Sequence, residues 1–185
     1  LAIHQHGLER ILIFDIGKGN LVYRLIIELF DEGNIILAEE NYTIIKPLRH
    51  HRFKDREIIP HALYTLGATD PTASLENLAS AIKNDDRDLV RSLAIACMLG
   101  GTYAEYICQK TGLDKTVPAS AADPETIFTA VQELFFHVVH SPKPGIFAKH
   151  CEPIDIWDTN EVQYFLTFSE ALEAFFPLTK AERKT

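Results

Sequence analysis

Three groups of side chains in this sequence could do chemistry, and each suits gripping an anionic polymer better than making bonds. The first is Glu9-Arg10. An arginine offers a planar fork of N–H donors that matches a phosphate or a base edge, and a neighbouring carboxylate can orient it or accept from a ribose hydroxyl. The same dipeptide also reads as a solvated strand start, since most charged residues are simply exposed. The second is the stretch from Lys46 to Arg56, where Lys46, Arg49, Arg52, Lys54 and Arg56 surround Phe53, His50 and His51. Cations interleaved with an aromatic ring suit a phosphate backbone and a stacked base, although a solvated basic loop has the same composition. The third is Gly100-Gly101-Thr102 between two helical stretches. Glycines there let a backbone approach a phosphate at the next helix's N-terminus, or merely serve an αα corner. Asp85, Asp86, Asp88 and Glu105 lie nearby in sequence and oppose a strong anion grip.

Bond-making chemistry finds less support. The sequence holds no GxSxG, GxxxxGK[ST] or GxGxxG. Gly17-Lys18-Gly19-Asn20 is too short for a nucleotide loop, and Asp155 and Asp158 flank Trp157 with no partner acid to place. Histidines occur two apart (His4, His6), three apart (His137, His140) and beside a cysteine (His150-Cys151), but in no HExxH or paired Cys/His set. No metal, cofactor or catalytic residue is therefore expected. Cys97 and Cys108 sit in apolar helical stretches, where a thiol is a poor nucleophile.

Composition narrows the partners. A net charge of −8 over 185 residues excludes a generally basic nucleic-acid binder, so RNA contact needs a local patch. An apolar fraction of 46% suits a folded chain with a sizeable core. Three cysteines, odd in number and without a CxxC, read as thiols of a reducing compartment. The first residues show no secretory pattern, and charges interrupt every apolar run, so no membrane is expected and the cytoplasm is the default. The chain starts without Met and almost inside a strand signal, as an excised fragment would.

The elements that must position these residues change in kind along the chain. Arg10 to Ile16, Leu21 to Phe30, Ile35 to Ala38 and Tyr42 to Leu48 read as strands. Gly17 to Asn20 and Asp31 to Asn34 are turn signals between them. In the second strand Arg24 and Glu28 share a face with Val22, Ile26 and Phe30. Arg49 to Pro71 reads as a Pro-punctuated loop or exposed hairpin. The period then becomes helical. Ser74 caps a helix to Lys83, Asp85-Asp86 opens a second, and Gly100-Gly101 breaks it. Thr102 caps a third from Tyr103 to Thr111, which Gly112 ends, and Asp123-Pro124 starts a fourth. Ile146 to Lys149 and Glu152 to Trp157 read as strands, and Ser169 to Phe176 as a short helix ended by Pro177.

The fold class that follows is α+β: an antiparallel β-sheet subdomain (1–70, with the basic loop) and an inserted helical, helix–hairpin–helix-like subdomain (71–140). A closing part (141–185) is expected to return its strands to the first sheet.

Several segments resemble one known family. Gly7-Leu8-Glu9-Arg10-Ile11-Leu12, Tyr23 to Phe30, Asp31 to Leu37 and Tyr42 to Arg49 are similar to the NFACT-N domain of ribosome-associated quality-control proteins of the RqcH/NEMF type. So are Leu99 to Glu105 and the closing stretch Tyr164 to Phe176. Proteins of this family also carry the name fibronectin-binding protein. Glu9 stands where the family most often has Asp, so its carboxylate reaches one methylene further. In the family, further strands and helices precede the region that Leu1 opens. Lys180 to Thr185 resembles the start of the coiled coil that follows it.

The resemblance implies tRNA and the large ribosomal subunit with stalled peptidyl-tRNA as partners. The role it implies is positioning tRNA for C-terminal alanine tailing of the stalled chain, with the ribosome making the bonds and no enzyme activity in this chain. Glu9, Arg10, Arg49, Arg52, Lys54, Arg56, Gly100, Gly101 and Thr102 are the candidate nucleic-acid contacts. Two other readings attach to the same resemblance. One is a DNA-glycosylase-like enzyme, which would need an N-terminal proline amine that is not found here. The other is a fibronectin-binding adhesin, which the acidic, signal-less composition disfavours.

Overall fold

In a computed structural model the described residues are 1–52, 56–67, 70–157 and 159–182, with backbone alone for 178–182. Five strands form an antiparallel meander in sequence order: β1 (Ala2–Gln5), β2 (Ile11–Lys18), β3 (Leu21–Glu28), β4 (Asn34–Glu39) and β5 (Ile44–Pro47). The turn chemistry sets the register. Gly19-Asn20 closes a two-residue hairpin between the paired Lys18 and Leu21, with Gly19 at φ +63°. Strand alternation sends Ile11, Ile13, Ile26, Ile36, Ala38 and Ile44 to one face, where they bury with Ile58 and Tyr64. The opposite face is apolar too. Leu12, Phe14, Leu25, Ile27 and Leu37 are half-buried there, and Ile3, Ile16, Leu21 and Ile35 are exposed.

A short hairpin follows, β6 (His51–Arg52) with β7 (Glu57–Ile58), within the stretch read as loop or exposed hairpin. The helices are α1 (Leu75–Lys83), α2 (Leu89–Ile95), α3 (Gly100–Thr111) and α4 (Pro124–His140). Ser74 Oγ accepts from Asn77 N, and an Asp123 carboxylate oxygen from Thr126 N, as the capping signals require. Gly112, at φ +69°, closes α3. Leu78, Ile82, Leu89, Leu93, Ile107, Ile127 and Val131 form the helical core. Leu8, from the turn between β1 and β2, packs against this second core, so the turn joins sheet to helices.

Several elements depart from the expected bounds. β1 pairs along β2, a strand that its few residues did not announce. The second helix starts later than Asp85-Asp86, because Asp88 is its cap while Asp85 accepts from Arg87 at 2.8 Å. The third starts earlier. Gly100, Gly101 and Thr102 form its first turn, and Thr102 is not its cap; Leu99 holds the N-cap position without a side-chain bond. The closing strands do not rejoin the first sheet. β8 (Gly145–Phe147), β9 (His150–Glu152) and β10 (Val162–Tyr164) make their own sheet in the order β10-β8-β9. β9 ends before Pro153, which has no N–H to donate to a ladder, so Glu152 to Trp157 is not a strand. The last helix, α5 (Phe168–Glu182), packs on β8 and β9 and runs through Pro177, since a proline removes one hydrogen bond without having to end a helix.

Candidate nucleic-acid interface

The β1–β2 turn is built tightly. Gly7 takes φ +51°, Glu9 N donates to His6 O at 3.0 Å, His6 N donates to Ile11 O at 3.1 Å, and Leu29 N donates to Arg10 O at 2.8 Å. Gln5 Nε2 adds a bond to Glu9 O at 2.9 Å. The backbone of Glu9 and Arg10 is thereby fixed, while both side chains stay unengaged. Glu9 is half-buried and Arg10 exposed, and neither head group has a hydrogen bond or ion pair among the described residues.

Arg10 is unusual in this respect. Arg24 pairs with Asp15 at 3.4 Å and lies 4.0 Å over the Tyr42 ring. Arg49 donates to Glu32 O and Gly33 O, which caps the β3–β4 turn. Arg52 meets Glu57 at 3.8 Å, Arg87 meets Asp85 at 2.8 Å and Arg91 meets Asp88 at 3.5 Å. Arg56 donates to Glu28.

Arg10 opens onto a cleft of about 880 Å³ between sheet and helices. Leu8, Glu9, Arg10, Phe30, Arg56 and Thr65 to Gly67 line one side; Ala94, Met98, Leu99, Gly100 and Tyr103 line the other. Beneath it lies a buried network. Glu28, 6% exposed at the end of β3, accepts from Arg56 and from the Tyr64 hydroxyl at 2.9 Å. The Arg56 guanidinium stands 5.2 Å over the Tyr64 ring. Burial pushes the Tyr64 hydroxyl up to about 12, against the pull of Arg56 and with a contribution from the Glu9 charge, so Tyr64 remains a donor at neutral pH. On the far wall Tyr103 donates to Glu152 at 2.7 Å, and its hydroxyl is likewise raised, first by burial.

The nine sequence candidates therefore separate. Glu9, Arg10, Arg56 and Gly100 share the cleft. Gly101 and Thr102 open instead on a groove with Tyr106 and Trp157. Arg49 is engaged by the carbonyls of the β3–β4 turn and Arg52 by Glu57, and neither lines the cleft. Lys54 lies outside the described residues. Glu28, Tyr64, Gly67 and Tyr103 belong to the cleft or its floor and were not singled out for it. For Glu28 the signal was available: a carboxylate on the same strand face as Ile26.

Among the described residues no group of three His, Cys, Asp or Glu is placed to hold a metal ion. Nor is any helix long and apolar enough to cross a membrane. Cys97 and Cys108 are buried, and burial drives the Cys97 thiol up to about 12, far from a reactive thiolate.

The family model for the NFACT N-terminal and middle domains matches residues 1–185. This chain belongs to the NFACT family. The archaeal Rqc2 homolog aRqcH of Methanocaldococcus jannaschii is 31% identical over 194 residues, covering 95% of this chain and 29% of that protein. The ribosome quality control complex subunit NEMF homolog of Drosophila melanogaster is 31% identical over 134 residues, covering 67% of this chain and 13% of that protein. This NFACT chain thus spans under a third of the length of these relatives. The crystal structure of the fibrinogen binding protein from Staphylococcus aureus superposes with a TM-score of 0.66, covering 95% of this chain and 69% of that one. At 17% identity that likeness shows the fold alone, and it agrees with the α+β class.

Proposed function

We propose that this NFACT chain is the tRNA- and large-subunit-binding region of a cytoplasmic ribosome-associated quality-control factor. It holds tRNA in position for C-terminal alanine tailing of a stalled nascent chain, and the ribosome makes the peptide bonds. The sheet part (1–70) and the helical part (71–140) act as the two walls of the RNA-facing cleft, and the closing part (141–185) packs against the helical wall through Glu152, Ile154 and Ile156. The relatives named for ribosome quality control support the setting.

One observation carries the tRNA assignment. Arg10 alone among the described arginines has no hydrogen-bond or ion-pair partner among the described residues, and it stands beside Glu9 in a cleft whose other wall holds Gly100, the first residue of α3. An unpaired guanidinium facing an uncapped helix start offers a phosphate two kinds of donor. Arg56, fixed by Glu28, adds a second cation at a set position.

The test is tRNA binding by Arg10→Ala across a salt series. The variant is expected to bind about tenfold more weakly, as for one lost charge-assisted contact. Its salt dependence should flatten by about one counterion. Equal affinity and equal salt slope in the variant would defeat the assignment.

A further inference from the structure

The Glu9 carboxylate lies directly over the backbone of Gly67. A β-carbon at position 67 would stand 2.9 Å from the Glu9 carboxyl carbon and nearer still to one of its oxygens. Gly67 is not among the glycines at positive φ, so the torsion does not require glycine there. What glycine supplies is room. The two segments also touch on either side of this point. His6 Nε2 lies 3.4 Å from Gly67 O, and a β-carbon at Gly7 would lie 3.2 Å from the Asp70 β-carbon. The 6–10 turn is therefore seated against Gly67 and Asp70, with the Glu9 carboxylate in the space that Gly67 leaves.

That placement bears on which polymer the cleft takes. A carboxylate one residue from a phosphate-gripping arginine repels every phosphodiester, DNA and RNA alike. Only a ligand with a donor close to its phosphates offsets the repulsion. The ribose 2′-hydroxyl is such a donor, and deoxyribose lacks it.

We propose that Gly67 and Glu9 together select RNA over DNA: Gly67, a positioning residue, holds open the space from which the Glu9 carboxylate accepts a ribose hydroxyl. This rests on the reading that the Arg10 cleft binds tRNA. The group that must yield in Gly67→Ala is the flexible end of Glu9, so the substitution displaces the carboxylate and leaves the fold intact. Shortening the acid in Glu9→Asp withdraws it from the added methyl.

The experiment compares binding of a deacylated tRNA transcript with that of the same sequence in DNA. It uses the wild type, Glu9→Ala, Gly67→Ala, the double variant Glu9→Asp/Gly67→Ala, and Arg10→Ala, each with a melting curve. The wild type is expected to prefer RNA by about tenfold through this contact, the worth of one hydrogen bond to a charged group. Glu9→Ala and Gly67→Ala lose that preference while melting like the wild type, and the double variant regains it. Arg10→Ala weakens RNA and DNA binding alike and keeps the ratio. A Gly67→Ala protein that retains the RNA preference overturns the proposal, as does a wild type with none. If Gly67→Ala melts early, a double variant that recovers stability without the preference also overturns it. Unchanged binding in Arg10→Ala, by contrast, strikes the tRNA assignment itself.

Discussion

The β6–β7 pair with its neighbours Arg49 and Arg56, on one side, and the β1–β2 turn, on the other, carry the same kind of side chain and use it in opposite ways. Arg49, Arg52 and Arg56 all have partners inside the molecule: turn carbonyls, Glu57 and Glu28. Arg10 has none among the described residues, although the turn that carries it is held by its own backbone hydrogen bonds. The richest run of cations in the sequence is therefore not the most available one. An arginine already paired offers a ligand only what its partner leaves free, whereas a lone guanidinium on a fixed backbone offers its whole fork.

Substitutions that separate these two uses should sharpen the contrast. The largest effect belongs to Glu28→Ala, which strands the Arg56 guanidinium and the Tyr64 hydroxyl at a buried site. A loss of about 3 kcal/mol is expected in denaturant unfolding. A loss below about 1 kcal/mol would mean that Arg56 is held by something else. Next, Arg49→Ala combined with Arg52→Ala should change tRNA affinity by no more than about twofold, against about tenfold for Arg10→Ala. A larger drop in the double variant would restore the basic hairpin as the interface and erase the contrast. Arg49→Ala alone should cost about 1 kcal/mol of stability, through the two turn carbonyls it leaves to water. Arg52→Ala should cost at most about 0.5 kcal/mol, because its ion pair is 73% and 53% exposed on its two sides.

What the sequence disclosed and what it concealed divide along the range of the interactions. Caps and turns are local chemistry, and Ser74, Gly112, Asp123 and the Gly19-Asn20 hairpin all stand where residue type required. β1 was missed because four residues paired at an edge carry too little pattern. The start of α3 was misplaced because the helix begins on Gly100 and Gly101, residues that read as breakers. The separate closing sheet depends on which strand finds which, and short strands do not announce their partners. At the cleft, Glu9 and Arg10 were legible as an unusual pair. The convergence of Glu28, Arg56, Tyr64 and Gly67 on them was not, since these residues meet across separations of 28 and more positions.

Leu8 gives this arrangement a mechanical side. Its side chain is anchored among the helices, while the next two residues in the chain carry the cleft's free acid and free base. The span between Arg10 and the first turn of α3 is consequently gauged by how the helices stack as well as by how the strands bend. Trimming Leu93 or Ile107, both fully buried, would reset that gauge, so the bite of the cleft is calibrated in part from inside the oily interior of its opposite jaw.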